Sequence, residues 1–581
     1  MRKFFNLTRQ QQLAWCLLLL AILVYAVEMS HQALLRYDTF KATAFDLGNM
    51  DQVLWNTIHG RWFQFTNQAI DWYGPPTRLA LHFEPIILLL SLLYAFHADP
   101  RILLVFQSAS LASGALPVFL LTRKYLPEWP VLAALMAVAY LLSPALLGLN
   151  IFDFHPISLA TPLLLYAVLA LTNRRYGWFL LACVLAAACK EDIPFSLAIL
   201  GLFLIWRYKL PRLGIALTIG SLLWSFIAFG IIIPHFYPGT QHNNFWYRYE
   251  SLGSSPGDAI GNLILHPWLL FNTFITLDRF YYLASLFRST GFLCLLAPEW
   301  LLMALPSLAE NMLGTDPLLF TGVYHYNAAI IPFVMLAAID GTRRLIFIWR
   351  AWRGEKNSPV GEEVGSLRGR FFGNDIRLAL PIKSGLMAFI PLVMRFVRWI
   401  RTSPVYTRLS TFFMTKRTAL ARRGTMQWQR FSERMIPLAK STSVSRLQWV
   451  MFAWITVMTG LNFMIATPLL NNFWADHAPG SREQHIQQLL AMIPPDASVS
   501  ASSNLNPHVS ERQRLAVFPS ISDSGQDTPD TVQYIIIDLN AVFPEDRVAT
   551  DNEYNHLRRS GQYIELARAE GVVLLMRRST A

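Results

Sequence analysis

The chain predicts an α-helical polytopic membrane protein of about eleven transmembrane helices, with a small C-terminal extracytoplasmic α/β domain. Three observations carry this. Of the 581 residues 54% are hydrophobic and only 15% charged, and the apolar ones gather in runs approaching the ~20 residues a membrane helix needs. Basic residues are concentrated: 343–446 holds 21 Lys/Arg against five Asp/Glu, a local balance of +16 in a chain of net charge +12. From residue 471 the apolar runs become short, β-rich and bounded by turn residues.

The first run, 13–29, follows Met-Arg-Lys and lacks a small-x-small cleavage site, so it reads as an uncleaved first span with its N-terminus cytoplasmic. A large outer loop, 30–101, follows. Its stretch 44–59 has apolar residues at Met50, Val53, Leu54 and Ile58, helical spacing for a short amphipathic helix on the membrane surface, with Asp46 at its entrance. The run 85–96 is too short to cross and lies in the interface, which keeps Arg123, Lys124, Arg174 and Arg175 inside. Spans follow at 102–121, 131–149 and 157–171, then a hairpin of two short helices over 178–206 that turns outside at Lys190-Glu191-Asp192. Further spans are expected at 213–233, 280–297, 300–313, 327–339 and 450–469.

These assignments divide the chain into a transmembrane core (1–341), a basic cytoplasmic insert (342–447), a last span (448–469) and an outer α/β domain (470–581). The insert's charge suits anionic membrane lipid, with an apolar stretch at 386–399 on the lipid surface. Nucleic acid is not indicated, since the rest of the chain is about −4. All four cysteines lie in apolar segments, which argues against a disulfide framework or a Cys-based zinc site. In the outer domain, 482–492 reads as a helix, 497–502, 515–518 and 532–537 as strands, and 563–576 as a terminal hairpin.

Ionisable residues collect on the outer face in this topology: Asp46, Asp51, His82, Glu84, Asp153, His155, Lys190, Glu191 and His325. Asp46 is the candidate catalytic carboxylate; equally, it caps the helix by accepting from backbone N–H groups. His82/Glu84 and Asp153/His155, at i and i+2, suit a divalent metal ion, or are polar interface residues bonded to loop backbone. Lys190 suits a phosphate, or closes an internally paired turn with Glu191 and Asp192. Arg101 faces the same phosphate or anchors its helix at the interface. The aromatic run 245–249 stacks on a sugar or sits in an interfacial belt.

The order of an acidic first outer loop, an interfacial helix, Arg101 opening the next span, an outer Asp153 and a Lys190-centred hairpin resembles the GT-C membrane glycosyltransferases. The resemblance is strongest to the protein mannosyltransferase and aminoarabinose transferase branch. The pieces F-D-L-G-N-M-D-Q-V-L-W, H-F-E-P-I, F-D-F-H-P, K-E-D-I-P and H-Y-N-A-A-I-I-P are similar to a family of predicted membrane proteins, with a domain of unknown function, grouped with that branch. The similarity runs over about 45–339 and the outer domain, and leaves out the basic insert.

The resemblance implies a transferase that moves a sugar from a polyprenyl-phosphate-linked donor to a lipid or glycan acceptor, with inversion, on the extracytoplasmic side of the cell's plasma or inner membrane. By motif, Asp46 matches the proposed base or acceptor-orienting group and Asp153 the second outer acidic position, which makes both of them catalytic candidates. The H-F-E-P sequence departs from the K-P-P of the aminoarabinose branch, so that branch's donor contacts do not carry over. A transporter or lipid-handling protein is the first alternative, though no internal inverted repeat is evident. A non-catalytic assembly scaffold is the second.

Overall fold

The first apolar run becomes α1, Arg9–Asp38, begun by a reciprocal capping box between Thr8 and Gln11. At 30 residues it is about 45 Å long, more than the ~30 Å hydrocarbon layer a membrane helix must cross. This computed structural model describes residues 7–67, 76–237, 245–266, 268–269, 274–353, 444–522 and 531–578. The chain forms two units, Met1–Thr342 with Phe452–Ala581, and Arg343–Met451. The expected lipid-surface stretch at 386–399 lies outside the described residues.

Among the described residues four helices are long and apolar enough to cross a membrane: Arg9–Asp38, Pro100–Tyr125, Pro211–Phe236 and Arg446–Leu470. A fifth counts if Pro130–Leu141 and Pro144–Ile151, bent by 47°, form one span. The bend falls where Pro144 withholds an N–H and puts Ser143 into extended backbone. Pro156–Thr172 is a shorter apolar helix, and the 178–206 run folds as two, Tyr176–Ala187 and Ile193–Tyr208, with Lys190 to Asp192 at their turn.

The expected continuous span over 280–297 does not form. Helix Leu277–Arg288 stops, and Gly291 and Phe292 both take φ of 60°. The chain then proceeds to Leu313 in short 3₁₀ and α pieces. A side chain at Gly291 would meet the Trp454 indole at 2.6 Å, and that indole donates to the Gly291 carbonyl at 3.0 Å. The break therefore seats the last long helix.

Helix α2, Asn49–Ile58, corrects the expectation of an amphipathic helix lying on the membrane. Eight of its ten residues are buried, Asp51, Gln52 and Asn56 among them. It packs on α3, Ile87–Phe96, and beneath the C-terminal domain. Ten residues make α3 only about 15 Å long, too short to cross. Burial of Met50, Val53 and Leu54 contributes roughly 1.5–3 kcal/mol each. Polar contacts from the helix and the loop after it cross to the C-terminal domain: Gln52 Nε2 donates to the Arg512 carbonyl (3.0 Å), Thr66 Oγ1 to the Leu515 carbonyl (2.8 Å), and Asn67 and Asn506 exchange side-chain bonds of 2.6 and 2.7 Å. A polar face that reads as solvated is therefore an interface.

The C-terminal domain is one sheet of β1 (Val499–Ala501), β2 (Leu515–Val517), β3 (Tyr534–Asp538), β4 (Tyr563–Ala569) and β5 (Val572–Arg577), in the order β2-β1-β3-β5-β4. The first three pair in parallel and β5 runs antiparallel to β3 and β4. Alternation sorts the faces: Ile536, Val572 and Leu574 pack with helix Ser481–Ala491 and with Phe40 of the outer loop. Ile535, Ile537, Val573 and Leu575 pack with Tyr554 and Leu557 of helix Arg547–Ser560, which the sequence reading missed.

Candidate active site

Asp46 lies in a single π-helical turn, Ala44–Gly48, that leads into α2. The cap position of α2 is Gly48, two residues on, with no side-chain cap bond, and the Asp46 carboxylate bonds side chains instead of the helix's N–H groups. That carboxylate turns away from the helix. Oδ1 meets His155 Nε2 at 2.9 Å and Oδ2 accepts from the Thr43 hydroxyl at 3.2 Å. About 24% of the side chain stays exposed. Burial opposes its charge, but the charge and hydrogen bond of His155, then Thr43 and Arg78, outweigh that and hold Asp46 below the usual carboxylate range.

Asp153 is committed elsewhere. Arg36, in the last turn of α1, donates Nε to its Oδ1 at 3.1 Å, and the pair is buried to 6% and 1% exposure. Its Oδ2 accepts from the Thr43 N–H at 3.0 Å and, also at 3.0 Å, shares with Asp46 the single proton of the Thr43 hydroxyl. Burial raises its pKa; Arg36 pulls it back and neighbouring Asp46 adds to the rise, leaving it above the ordinary value. Asp153 also takes the left-handed region at φ 48°, uncommon for a residue with a Cβ. Gln107 fixes this turn from inside the 100–125 helix. Its Nε2 donates to the Asp153 carbonyl (2.7 Å) and its Oε1 accepts the His155 N–H (3.1 Å). Neither Arg36 nor Gln107 stands out in the sequence, because each looks like an ordinary polar residue in a span.

Glu191 Oε1 bonds His82 Nδ1 at 2.8 Å and its Oε2 accepts the Phe83 N–H at 3.0 Å, clamping the hairpin turn onto the first outer loop. Burial works against this charge, but His82 and then Lys190 hold Glu191 down to about 2. Lys190 Nζ is 3.5 Å from Asp192 Oδ2. A cation outside the expected set is Arg248, which bonds Asp316 at 3.1 Å and the Tyr326 hydroxyl at 3.3 Å. Phe245 of the same run stacks on His82 at 5.4 Å. Tyr326 lies within electrostatic range of Arg248, Lys190 and Asp46 together. His325, next to it, stacks on His155 at 3.9 Å. One short segment thus joins the carboxylate side of the site to the cation side. Its approach depends on Gly148, where a Cβ would strike the Val323 carbonyl at 2.3 Å.

Three expected residues sit apart from this group. Arg101 does not face the cations: it pairs with Asp38 (2.7 Å) and Asp99 (3.3 Å) and lies over the Tyr37 ring. Glu84 closes a buried pair with Arg78 at 2.7 Å. Asp51 accepts from Tyr94 (2.6 Å) and Ser510 (2.5 Å), tying α2 to α3 and to the C-terminal domain. Burial raises Asp51 to about 7 despite those two bonds. Folding then binds protons, so this group's contribution to stability is full below about pH 4 and is lost as pH rises through about 7. Asp51→Asn is expected to flatten that part of the profile. Thermal midpoints measured from about pH 4 to 7 should fall less for the variant; parallel wild-type and variant curves would contradict the assignment.

Among the described residues no three His, Cys, Asp or Glu side chains are grouped to hold a metal ion. Asp153 is engaged by Arg36 and Thr43, and His155 by Asp46. Among the described residues Asp153 and His155 are not grouped with a third such side chain for the divalent ion expected near them.

A solved structure similar to this chain is ArnT from Cupriavidus metallidurans bound to undecaprenyl phosphate, at 14% identity over 95% of this chain and 98% of that one, TM-score 0.41. The apo state of the same protein gives 13% identity, 94% and 97% coverage and TM-score 0.41. No curated protein sequence matches. The family model described as predicted membrane protein (DUF2079) matches residues 36–357 and 382–574, well over half the chain. The chain belongs to that family of membrane proteins.

Proposed function

We propose that the protein is a GT-C-like membrane glycosyltransferase that moves a sugar from a polyprenyl-phosphate donor to a lipid or glycan acceptor outside the membrane. One observation carries the reading. A partly exposed carboxylate, Asp46, is oriented by His155, whose ring stacks on His325, and the adjoining Tyr326 bonds the cation Arg248. The acceptor oxygen attacks the anomeric carbon, and its proton passes to Asp46. The bond from that carbon to the phosphate oxygen breaks, with the electron pair leaving on the phosphate. Attack and departure on opposite faces invert the centre. Lys190 and Arg248 neutralise the leaving phosphate, as preorganised cations in a dry site do most effectively. Asp153 acts as a positioning residue: it holds Thr43, which in turn bonds Asp46.

The test is turnover by the purified full chain on a panel of undecaprenyl-phosphate sugars, with bare undecaprenyl phosphate released as product. Loss of lipid phosphate binding together with absence of turnover across the panel would return the protein to the transporter or scaffold reading.

The orientation belongs to the same proposal. Arg123, Arg174 and the 343–446 segment are placed in the cytoplasm, and His82, Asp153 and the C-terminal domain outside, from the positive-inside count. Single cysteines at these positions should label from opposite sides of sealed vesicles. Labelling of position 123 from outside would invert the assignment and remove the site from the donor's side of the membrane.

A further inference from the structure

We infer that His155 and His325 form the subsite for the hydroxyl groups of the sugar being transferred, each through a buried Nδ1 that no described residue satisfies. The inference rests on the glycosyl-transfer reading and deepens it. The two imidazoles stack at 3.9 Å and 22°, and the Nδ1 of each is buried without a partner among the described residues. Buried polar atoms are paired almost everywhere in folded proteins, so two orphans on adjacent rings call for a ligand group. His155 spends Nε2 on Asp46, which leaves only Nδ1 to face anything else.

Position supports a sugar over a phosphate. The anomeric carbon must lie between the base and the leaving phosphate, and the segment carrying His325 links the two: the His325 ring stacks on His155, which bonds Asp46, and the next residue, Tyr326, bonds Arg248. Burial first, then those neighbouring cations and histidines, hold His325 well below its ordinary pKa, so its ring is neutral. A neutral imidazole offers one donor and one acceptor, which matches hydroxyls and has no charge to offer a phosphate. Phe152 stacks on His155 at 5.6 Å and meets Tyr324 edge-on at 4.7 Å, which gives the subsite an aromatic wall suited to the apolar face of a sugar ring.

The experiment compares His325→Asn, which keeps a polar atom where Nδ1 sits, with His325→Phe, which keeps the ring stack and removes the nitrogen. Binding to the purified full chain is measured for bare undecaprenyl phosphate and for the same lipid carrying each of several hexoses and pentoses. The expected result is unchanged binding of the bare lipid by both variants. The best-bound glycosylated lipid should weaken about tenfold for His325→Phe and about twofold for His325→Asn. If Phe does not fold, His325→Gln, which moves the polar atom outward, replaces it in the contrast. Equal losses for bare and glycosylated lipid, or no loss for Phe, would overturn the inference. A wild-type chain that binds bare lipid but prefers no glycosylated form would also overturn it. A chain that binds neither overturns the transferase reading itself, and the inference with it.

Discussion

Asp46→Asn should abolish transfer, by on the order of 10²-fold or more, while the protein stays folded and still binds the donor lipid. The amide keeps the size of the carboxylate. Its oxygen still accepts from His155 Nε2, and its nitrogen faces the Thr43 hydroxyl, which can accept. Only the charge and the capacity to take a proton are removed. Asp51→Asn is the control, since its carboxylate bonds Tyr94 and Ser510 and touches none of the groups around Asp46. Initial rates on the best panel donor, with lipid binding measured in parallel, decide it. Wild-type turnover by Asp46→Asn beside a dead Asp51→Asn or Asp153→Asn would mean that the base is a different carboxylate. Full activity in all three would remove the enzyme reading of this loop.

Arg36→Ala should produce the largest loss of stability of any single change at the site, about 3–5 kcal/mol, because it strands a buried carboxylate. Asp153 would keep only its two Thr43 bonds, with its side chain 1% exposed. Arg36 also donates to the Phe473 carbonyl at 3.4 Å and lies over the Phe473 ring at 5.7 Å, so the turn before the C-terminal domain loosens with it. Adding Asp153→Asn to Arg36→Ala should recover much of the loss, since removing both charges of a buried pair is far cheaper than removing one. Thermal unfolding in detergent reads this out as apparent midpoints for the two single variants and the double. A double variant no more stable than Arg36→Ala would show that the ion pair is not what holds the turn.

The sequence by itself determined which class of molecule this is, because hydrophobic run length and charge placement are properties of the chain read in one dimension. It also set the 178–206 hairpin, the β-rich terminal domain and the shortness of 85–96, each decided by local length and pattern. Motif spacing picked out Asp46, Asp153, Lys190, Glu191, His82 and His325 as residues of interest. It had no means of assigning roles to them, since a role is a partner and partners come from distant segments. Asp46 reads as a cap or a base until His155, 109 positions away, is seen at 2.9 Å. Asp51 and Asp46 look interchangeable until one is found locked by Tyr94 and Ser510.

Only the tertiary structure decided that α2 is buried, because its polar face satisfies its hydrogen bonds on a domain more than 400 residues later in the chain. Only the tertiary structure separated Arg101 from the cation group and brought Arg248 into it. A guanidinium's neighbours depend on how loops close, and neither composition nor periodicity records that. The single span expected at 280–297 failed for the same reason. Its apolar content was sufficient, but Gly291 and Phe292 turn left-handed to seat Trp454, a constraint that exists only once the last helix has packed.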